Sequence, residues 1–396
     1  MPTAVVYREI RRLLSRYVDP RVRESTRERL AILVLGIIHA TSAAPAHVSR
    51  AVKALGLTGA KVESIERRIR RLQNDVQLTR ALCFHAFVQY HLTLARASEL
   101  QLILDVTTKE DDVVLLSAAV WYRGRALPLA WAVWPANVPL QGPRFWQRVA
   151  LLLDEVERLL PLGVPVTWLA DRAFGTPSFT DLVAAHHWHY VVRVQDQTRC
   201  RDRRGTERAV RDLVRLPQQR AKLRGRVFKK HGWREASILV HWGRGQEGPL
   251  CLISDLPPRW WLIQAYRRRY ACEAGFRDYK SQGWRWEQGQ VCACHHVERL
   301  LVGMALATWI ALLVGTQVAG ELLRQAKTGR RHTKPPAAKQ SLFSLGLQRL
   351  REWLGGGSEV RCDWLLTDWH APNWETQLYA LYLHGYVFAL NGAPPC

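Results

Sequence analysis

The stretch QLILDVTT, residues 101–108, reads as a buried strand that carries a carboxylate, Asp105, to its end. Residues 102–104 are Leu, Ile and Leu, and Val106 and Thr107 are β-branched, the composition of a pleated, half-buried segment. VPVTWLADRAFG, residues 164–175, repeats the arrangement, with the apolar run 164–170 leading into Asp171. A carboxylate at the end of a buried strand is costly to desolvate unless a cation balances it, so a divalent metal ion is the natural partner of such a pair. One strand-end Asp alone commonly serves a turn through its hydrogen bonds. Further runs surround these two. Residues 102–106, 113–121 and 126–134 read as an antiparallel meander, with Gly124 in the second connection. An amphipathic helix follows over 145–160, with Val149, Leu152, Leu153, Val156 and Leu160 on its apolar face. Then come the strand ending at Asp171, a helix over 178–187 and a strand over 189–194.

A third carboxylate comes from YRRRYACEAGFRDYK, residues 266–280. Read as one α-helix, it sets Tyr266, Arg269, Glu273 and Lys280 within an arc of roughly 60°. Glu273 is then framed by two cations and a phenol, which suits a metal-binding oxygen beside DNA phosphates. Taken alone, the same stretch is also compatible with an ordinary solvated, mixed-charge helix. Three carboxylates delivered by buried elements favour a site.

These residues resemble the DD-E transposases of bacterial insertion sequences, in the insertion sequence family four-like group whose signature is Y-x2-R-x3-E-x6-K. Tyr266, Arg269, Glu273 and Lys280 meet every spacing of that signature. Asp105, Val106 and Thr107 are similar to the D-x-T form around the family's first Asp, and Asp171 to Phe174 to the D-R-[GA]-[FY] form around its second. The resemblance spans residues 100–290. It implies a ribonuclease H-like α/β catalytic core with a mixed sheet, which the order of three strands, helix, strand, helix, strand also matches. In that topology the strands carrying the two Asp residues are neighbours. It further implies that Asp105, Asp171 and Glu273 are catalytic and hold two Mg²⁺ ions, with Mn²⁺ as substitute, for cutting DNA and joining the freed 3′-hydroxyl to a target. Tyr266, Arg269, Lys280 and Arg172 would grip the phosphate backbone. Trp260 and Trp261 would stack on an unpaired base, although core packing is the commoner role of any one Trp.

Composition points independently to a polyanionic partner. The 396 residues hold 57 Lys plus Arg against 34 Asp plus Glu, a formal charge of +23 with a pI near 10.3. Such an excess raises affinity for nucleic acid through counterion release and is hard to explain in an enzyme of small molecules. The partners expected are therefore the terminal inverted repeats of the element and target DNA, bound by a homodimer, with no membrane and a cytoplasmic, nucleoid-associated location. The most apolar run, about 300–314, is short for a bilayer span and reads as a buried helix. No export signal opens the sequence, so the eight Cys are expected as thiols. The cluster Cys292, Cys294, His295, His296 lacks a second ligand pair at zinc spacing.

The expected organisation is a helical DNA-binding region at 1–98, a catalytic core at 99–195 and 258–316, a basic β-rich insertion domain at 196–257, and a helical C-terminal region at 317–396. Within the first, 46–55 and 60–74 read as helix, turn, helix, the second bearing Arg67, Arg68, Arg70 and Arg71. The insertion holds fourteen Lys or Arg against three acidic residues over 199–234, which makes it a second DNA-facing surface. A basic connector with Arg330, Arg331, Lys334, Pro335 and Pro336 opens the last region. Two other readings remain compatible with the sequence: a ribonuclease H-like nuclease without strand transfer, and a non-catalytic DNA-binding protein derived from a transposase.

Overall fold

Ten strands build one mixed sheet: β1 (Leu100–Lys109), β2 (Val113–Tyr122), β3 (Arg125–Pro135), β4 (Val166–Ala170), β5 (His189–Arg193), β6 (Arg199–Arg201), β7 (Glu207–Ala209), β8 (Arg220–Val227), β9 (Arg234–His241) and β10 (Leu250–Ser254). Their spatial order is β3-β2-β1-β4-β5-β10-β9-β8-β6-β7. This computed structural model describes residues 2–328, 340–356 and 362–366, with 369, 371, 376 and 377. The basic connector read from Arg330, Arg331, Lys334, Pro335 and Pro336 lies outside the described residues, as does most of the expected C-terminal region.

By its contacts the chain divides into two units. One holds residues 98–121 and 128–275 and carries most of the sheet; the other, largely helical, holds 1–97, 122–127 and 276–396.

In the sheet unit, β1 pairs antiparallel with β2 and parallel with β4, and β4 pairs parallel with β5. Residues 123 and 124 both have positive φ, 46° and 85°, which is the left-handed two-residue turn that suits the twist of the β2–β3 hairpin. The crossovers into β4 and β5 are the helices Pro143–Glu157 and Pro177–Ala185. Each opens with a Pro in its first turn, where the missing N–H costs nothing. Val149, Leu152, Leu153 and Val156 of the first are buried, as are Phe179 and Val183 of the second, so both lay an apolar stripe inward. The strands of 199–254 are as β-rich as the sequence suggests, and they continue the same sheet, because β10 pairs antiparallel with β5 over Ser254↔Val191 to Leu252↔Arg193.

The helical unit is organised around Cys294–Thr328, a helix of 35 residues that is long and apolar enough to cross a membrane by length and composition. Its most apolar window is 89 % buried within the structure, as expected of a helix that is apolar all round and enclosed by others. Glu24–Ala40 and Leu342–Leu354 pack against it. The helix-turn-helix expected near the N-terminus takes the form of Pro45–Ala54 and Val62–Leu72, and Arg67, Arg68, Arg70 and Arg71 are all exposed on the second helix.

A buried ion pair in this unit gives a pH signature. Asp278 accepts a hydrogen bond from Arg125 Nη1 at 2.8 Å. Burial nevertheless pushes its carboxyl up to about 6 from an ordinary 3.8, against the pull of Arg125. A carboxyl whose folded value exceeds its unfolded value takes up a proton on folding, so its stabilising contribution is complete below about pH 4 and declines as pH rises through 6. The decline is worth up to about 3 kcal/mol. Asp278→Asn is expected to flatten that part of the stability curve, measured by urea unfolding from pH 4 to 7.

Candidate active site

The parallel pairing of β1 with β4 ends at Leu104↔Ala170. Asp105 and Asp171 are the next residues on each chain: Asp171 follows the end of β4, where open α/β sheets place their ligand crevices, whereas Asp105 does not end its strand as the sequence suggests, because β1 runs on to Lys109 paired with β2. Asp171 caps the 3-10 turn Arg172–Phe174, its Oδ1 accepting from the Ala173 N–H at 2.8 Å. Gly175 lets that loop close on the sheet, since a Cβ there would run into the Arg193 carbonyl oxygen. Asp105 Oδ1 accepts from the Val106 N–H at 2.9 Å.

Glu273 comes from the helix Tyr270–Arg277. Arg269 joins it to the strand: Nη1 donates to Asp105 Oδ2 at 2.7 Å and Nη2 donates to Glu273 Oε1 at 2.8 Å. The Asp105 side chain is 13 % exposed and that of Arg269 10 %, whereas Glu273 is 52 % exposed, so the bridge runs from the interior to solvent. Burial raises the Asp105 carboxyl above its ordinary value; Arg269 and the Val106 N–H pull it down, and Asp171 and Glu273 each push it up. That coupling places all three carboxylates within one electrostatic neighbourhood. Burial opposes the charge of Arg269, yet Tyr266, Asp105 and Glu273 together hold it above the usual guanidinium range.

The structure corrects the reading of 266–280 as a single helix. Trp261–Arg267 and Tyr270–Arg277 are separated by a tighter turn, in which the N–H groups of Arg268, Arg269, Ala271 and Cys272 all bond three residues back, and Asp278–Gln282 is π-helical. Three-residue turns advance by about 120° per residue and not 100°, which changes the side-chain azimuths that a regular helix would give. Tyr266, Arg269 and Glu273 still meet. Tyr266 is 1 % exposed, with its ring centroid 5.8 Å from the Arg269 guanidinium carbon, and burial pushes its phenol up to about 12. Lys280 belongs to the helical unit, where its ammonium lies 3.4 Å from Glu287.

Arg172 is exposed beside Asp171. Of the two Trp residues, Trp261 is 47 % exposed, while the Trp260 ring has the Arg220 guanidinium at 4.8 Å and the Lys222 ammonium at 5.2 Å. Sequence reasoning missed Tyr270, half exposed with its ring 5.1 Å from Arg269. It also missed a cavity of about 350 Å³ next to Asp171, lined by Arg172, Thr176, Arg199, Lys229 and Lys230 among others. The Lys-Lys-His run at 229–231 was the available signal for that cavity.

Among the described residues no group of three or more His, Cys, Asp or Glu is arranged to hold a metal ion. In the Cys292, Cys294, His295, His296 cluster, His296 instead bonds Asn74 at 2.8 Å. The side chains of Asp105, Asp171 and Glu273 offer carboxylate oxygens, the donor type that suits a hard divalent cation. As the side chains stand, the Arg269 fork takes one oxygen of Asp105 and one of Glu273.

No curated protein matches the chain. Among solved structures, a piggyBac transposase synaptic complex with hairpin DNA aligns with a TM-score of 0.41 and 10 % identity, over 93 % of this chain and 87 % of that one. Residues 143–310, which contain Asp171 and Glu273 but not Asp105, match the family model described as a transposase DDE domain.

Proposed function

We propose that this chain is a DNA transposase that cuts at the ends of an insertion sequence and joins 3′-hydroxyls to target DNA. The observation that carries the reading is the placement of Asp105 and Asp171 on adjacent parallel-paired chain segments, with Glu273 tied to Asp105 through Arg269. The match of 143–310 supports it, and so does the strand order β3-β2-β1-β4-β5, which is the order of a ribonuclease H-like core. Asp105, Asp171 and Glu273 would hold divalent cations, Mg²⁺ or Mn²⁺. Bound there, such ions supply Lewis-acid activation of the attacking oxygen and charge stabilisation at the leaving oxygen. The chain's own work is positioning: the middle of β1, the end of β4 and the buried Tyr266 beside Arg269 fix the carboxylates, and no protein nucleophile is required, so one site serves both hydrolysis and strand transfer.

The exposed cations Arg172, Lys229 and Lys230 of the cavity would give the DNA backbone a path, with Lys229 exchanging its Glu207 partner at 2.8 Å for a phosphate. Lys229→Ala combined with Lys230→Ala is expected to weaken DNA binding evenly across sequences and to reduce the slope of log affinity against log salt by about 2, at roughly 0.9 per phosphate contact. Fluorescence anisotropy across a salt series measures this, and an unchanged slope would put the strand elsewhere.

The function itself is tested by metal-dependent cleavage of DNA carrying the gene's flanking sequence, comparing the parent with Glu273→Gln in Mg²⁺ and in Mn²⁺. Cutting at the element boundary by the parent alone supports the reading. Boundary-specific binding without cutting in either protein sinks it in favour of a DNA-binding role.

A further inference from the structure

The Arg269 guanidinium occupies the place between Asp105 and Glu273 that a cation would have to share. Its two bonds, 2.7 and 2.8 Å, use one oxygen of each carboxylate. A divalent ion binding those same oxygens has to displace it, because guanidinium and metal compete for the same lone pairs and repel each other at close range. One guanidinium charge stands against the two carboxylates it bridges, Asp105 and Glu273. The bridge is therefore held but not electrostatically saturated. Its outer end is open: Glu273 is 52 % exposed, and the Tyr270 ring beside the guanidinium is half exposed. A phosphodiester arriving from solvent meets the Glu273 end first, and a phosphate accepts an Arg fork with the same bidentate geometry as a carboxylate.

Resting on the reading of these carboxylates as metal ligands, we propose that Arg269 and a divalent cation are alternative partners of the Asp105–Glu273 pair, so that metal binds tightly only once a DNA phosphate has drawn the guanidinium away. Arg269 is then a positioning residue with two stations. Without DNA it holds the carboxylates apart from metal and suppresses stray cutting; with DNA it grips the backbone and frees them. Linkage makes the coupling reciprocal, so metal must raise DNA affinity by the factor by which DNA raises metal affinity.

The test is a calorimetric titration of Mn²⁺ into the full chain without DNA, comparing the parent with R269Q and with D105N. R269Q is expected to bind Mn²⁺ more tightly than the parent, by about 5- to 150-fold, the usual span of a coupling between sites. D105N is expected to lose that binding. Adding a short duplex should tighten Mn²⁺ binding to the parent and change little in R269Q. Should R269Q fail to fold, R269K carries the test: an ammonium keeps the charge but loses the fork, so it should bind Mn²⁺ more tightly than the parent and less tightly than complete removal of the charge would allow. Equal or weaker Mn²⁺ binding in both variants, with D105N still abolishing it, overturns the proposal and leaves the metal-ligand reading standing. Absence of Mn²⁺ binding in the parent and both Arg269 variants, with duplex or without, overturns both.

Discussion

Asp105→Asn is expected to lose DNA-cleaving activity by more than about a hundredfold while DNA affinity measured without divalent metal stays close to that of the parent. Losing an outer-shell partner of a metal ligand already costs about 10- to 100-fold, so losing a ligand must exceed that range. Asparagine preserves the geometry: its Oδ1 still accepts from the Val106 N–H, and Arg269 keeps Glu273 as an ion partner. The fold should therefore survive with a modest loss. Parallel cleavage and anisotropy assays separate the two effects. A variant that cuts at a tenth of the parent rate or better would remove Asp105 from the ligand set, and one that loses DNA binding in step with cleavage would make its role structural.

The second large effect is expected in the helical unit, at Gly346→Ala. The helix Leu342–Leu354 crosses the long helix Cys294–Thr328 with backbone against backbone: a Cβ at Gly346 would strike the Ala311 carbonyl oxygen, and one at Gly315 would strike that of Leu342. A flexible side chain can move aside, but a hydrogen-bonded helix carbonyl cannot. The methyl group must push the helices apart, at a cost near the upper end of the roughly 1–3 kcal/mol of overpacking. A melting temperature lower by about 5 to 10 °C is the expected reading for that unit. Gly320→Ala, in the same long helix with nothing within 4 Å of its added Cβ, is the control. It should be neutral or stabilising by up to about 1 kcal/mol, as helix propensity alone dictates. Equal melting of the two variants would mean the close crossing contributes nothing.

The first five strands and their two crossover helices were legible because each is a local signal: an apolar run of strand length, a two-residue turn or an amphipathic repeat. The expected runs 113–121 and 126–134 agree with β2 and β3 to within a residue at each end. What the sequence hid is non-local. The antiparallel pairing of β10 with β5 joins residues more than fifty positions apart, and no periodicity in a highly charged stretch announces it. The same holds in the site. Arg269 and Glu273 are four residues apart, so their pairing follows from helix geometry, whereas Asp105 lies 164 residues from Arg269. The spacing signature brings Arg269 beside the carboxylate without saying that it bonds two of them. The tight turn at 268–269 was hidden for another reason: a run of three Arg residues carries no apolar phase from which a shift in helical azimuth can be read.

The helical unit also imposes an order on synthesis. Its central helix, Cys294–Thr328, packs against Glu24–Ala40, made early, and against Leu342–Leu354, made late. Between the first and the second, the ribosome must deliver nearly all of residues 98–275, the sheet unit. The helix Glu24–Ala40 therefore waits, without this cover, until residues 294–328 have been made, while the sheet can close on residues already present. Deleting residues 1–97 would leave a long apolar helix without its cover, so a shortened gene product of that kind should partition to chaperones or aggregate rather than persist as a free catalytic fragment.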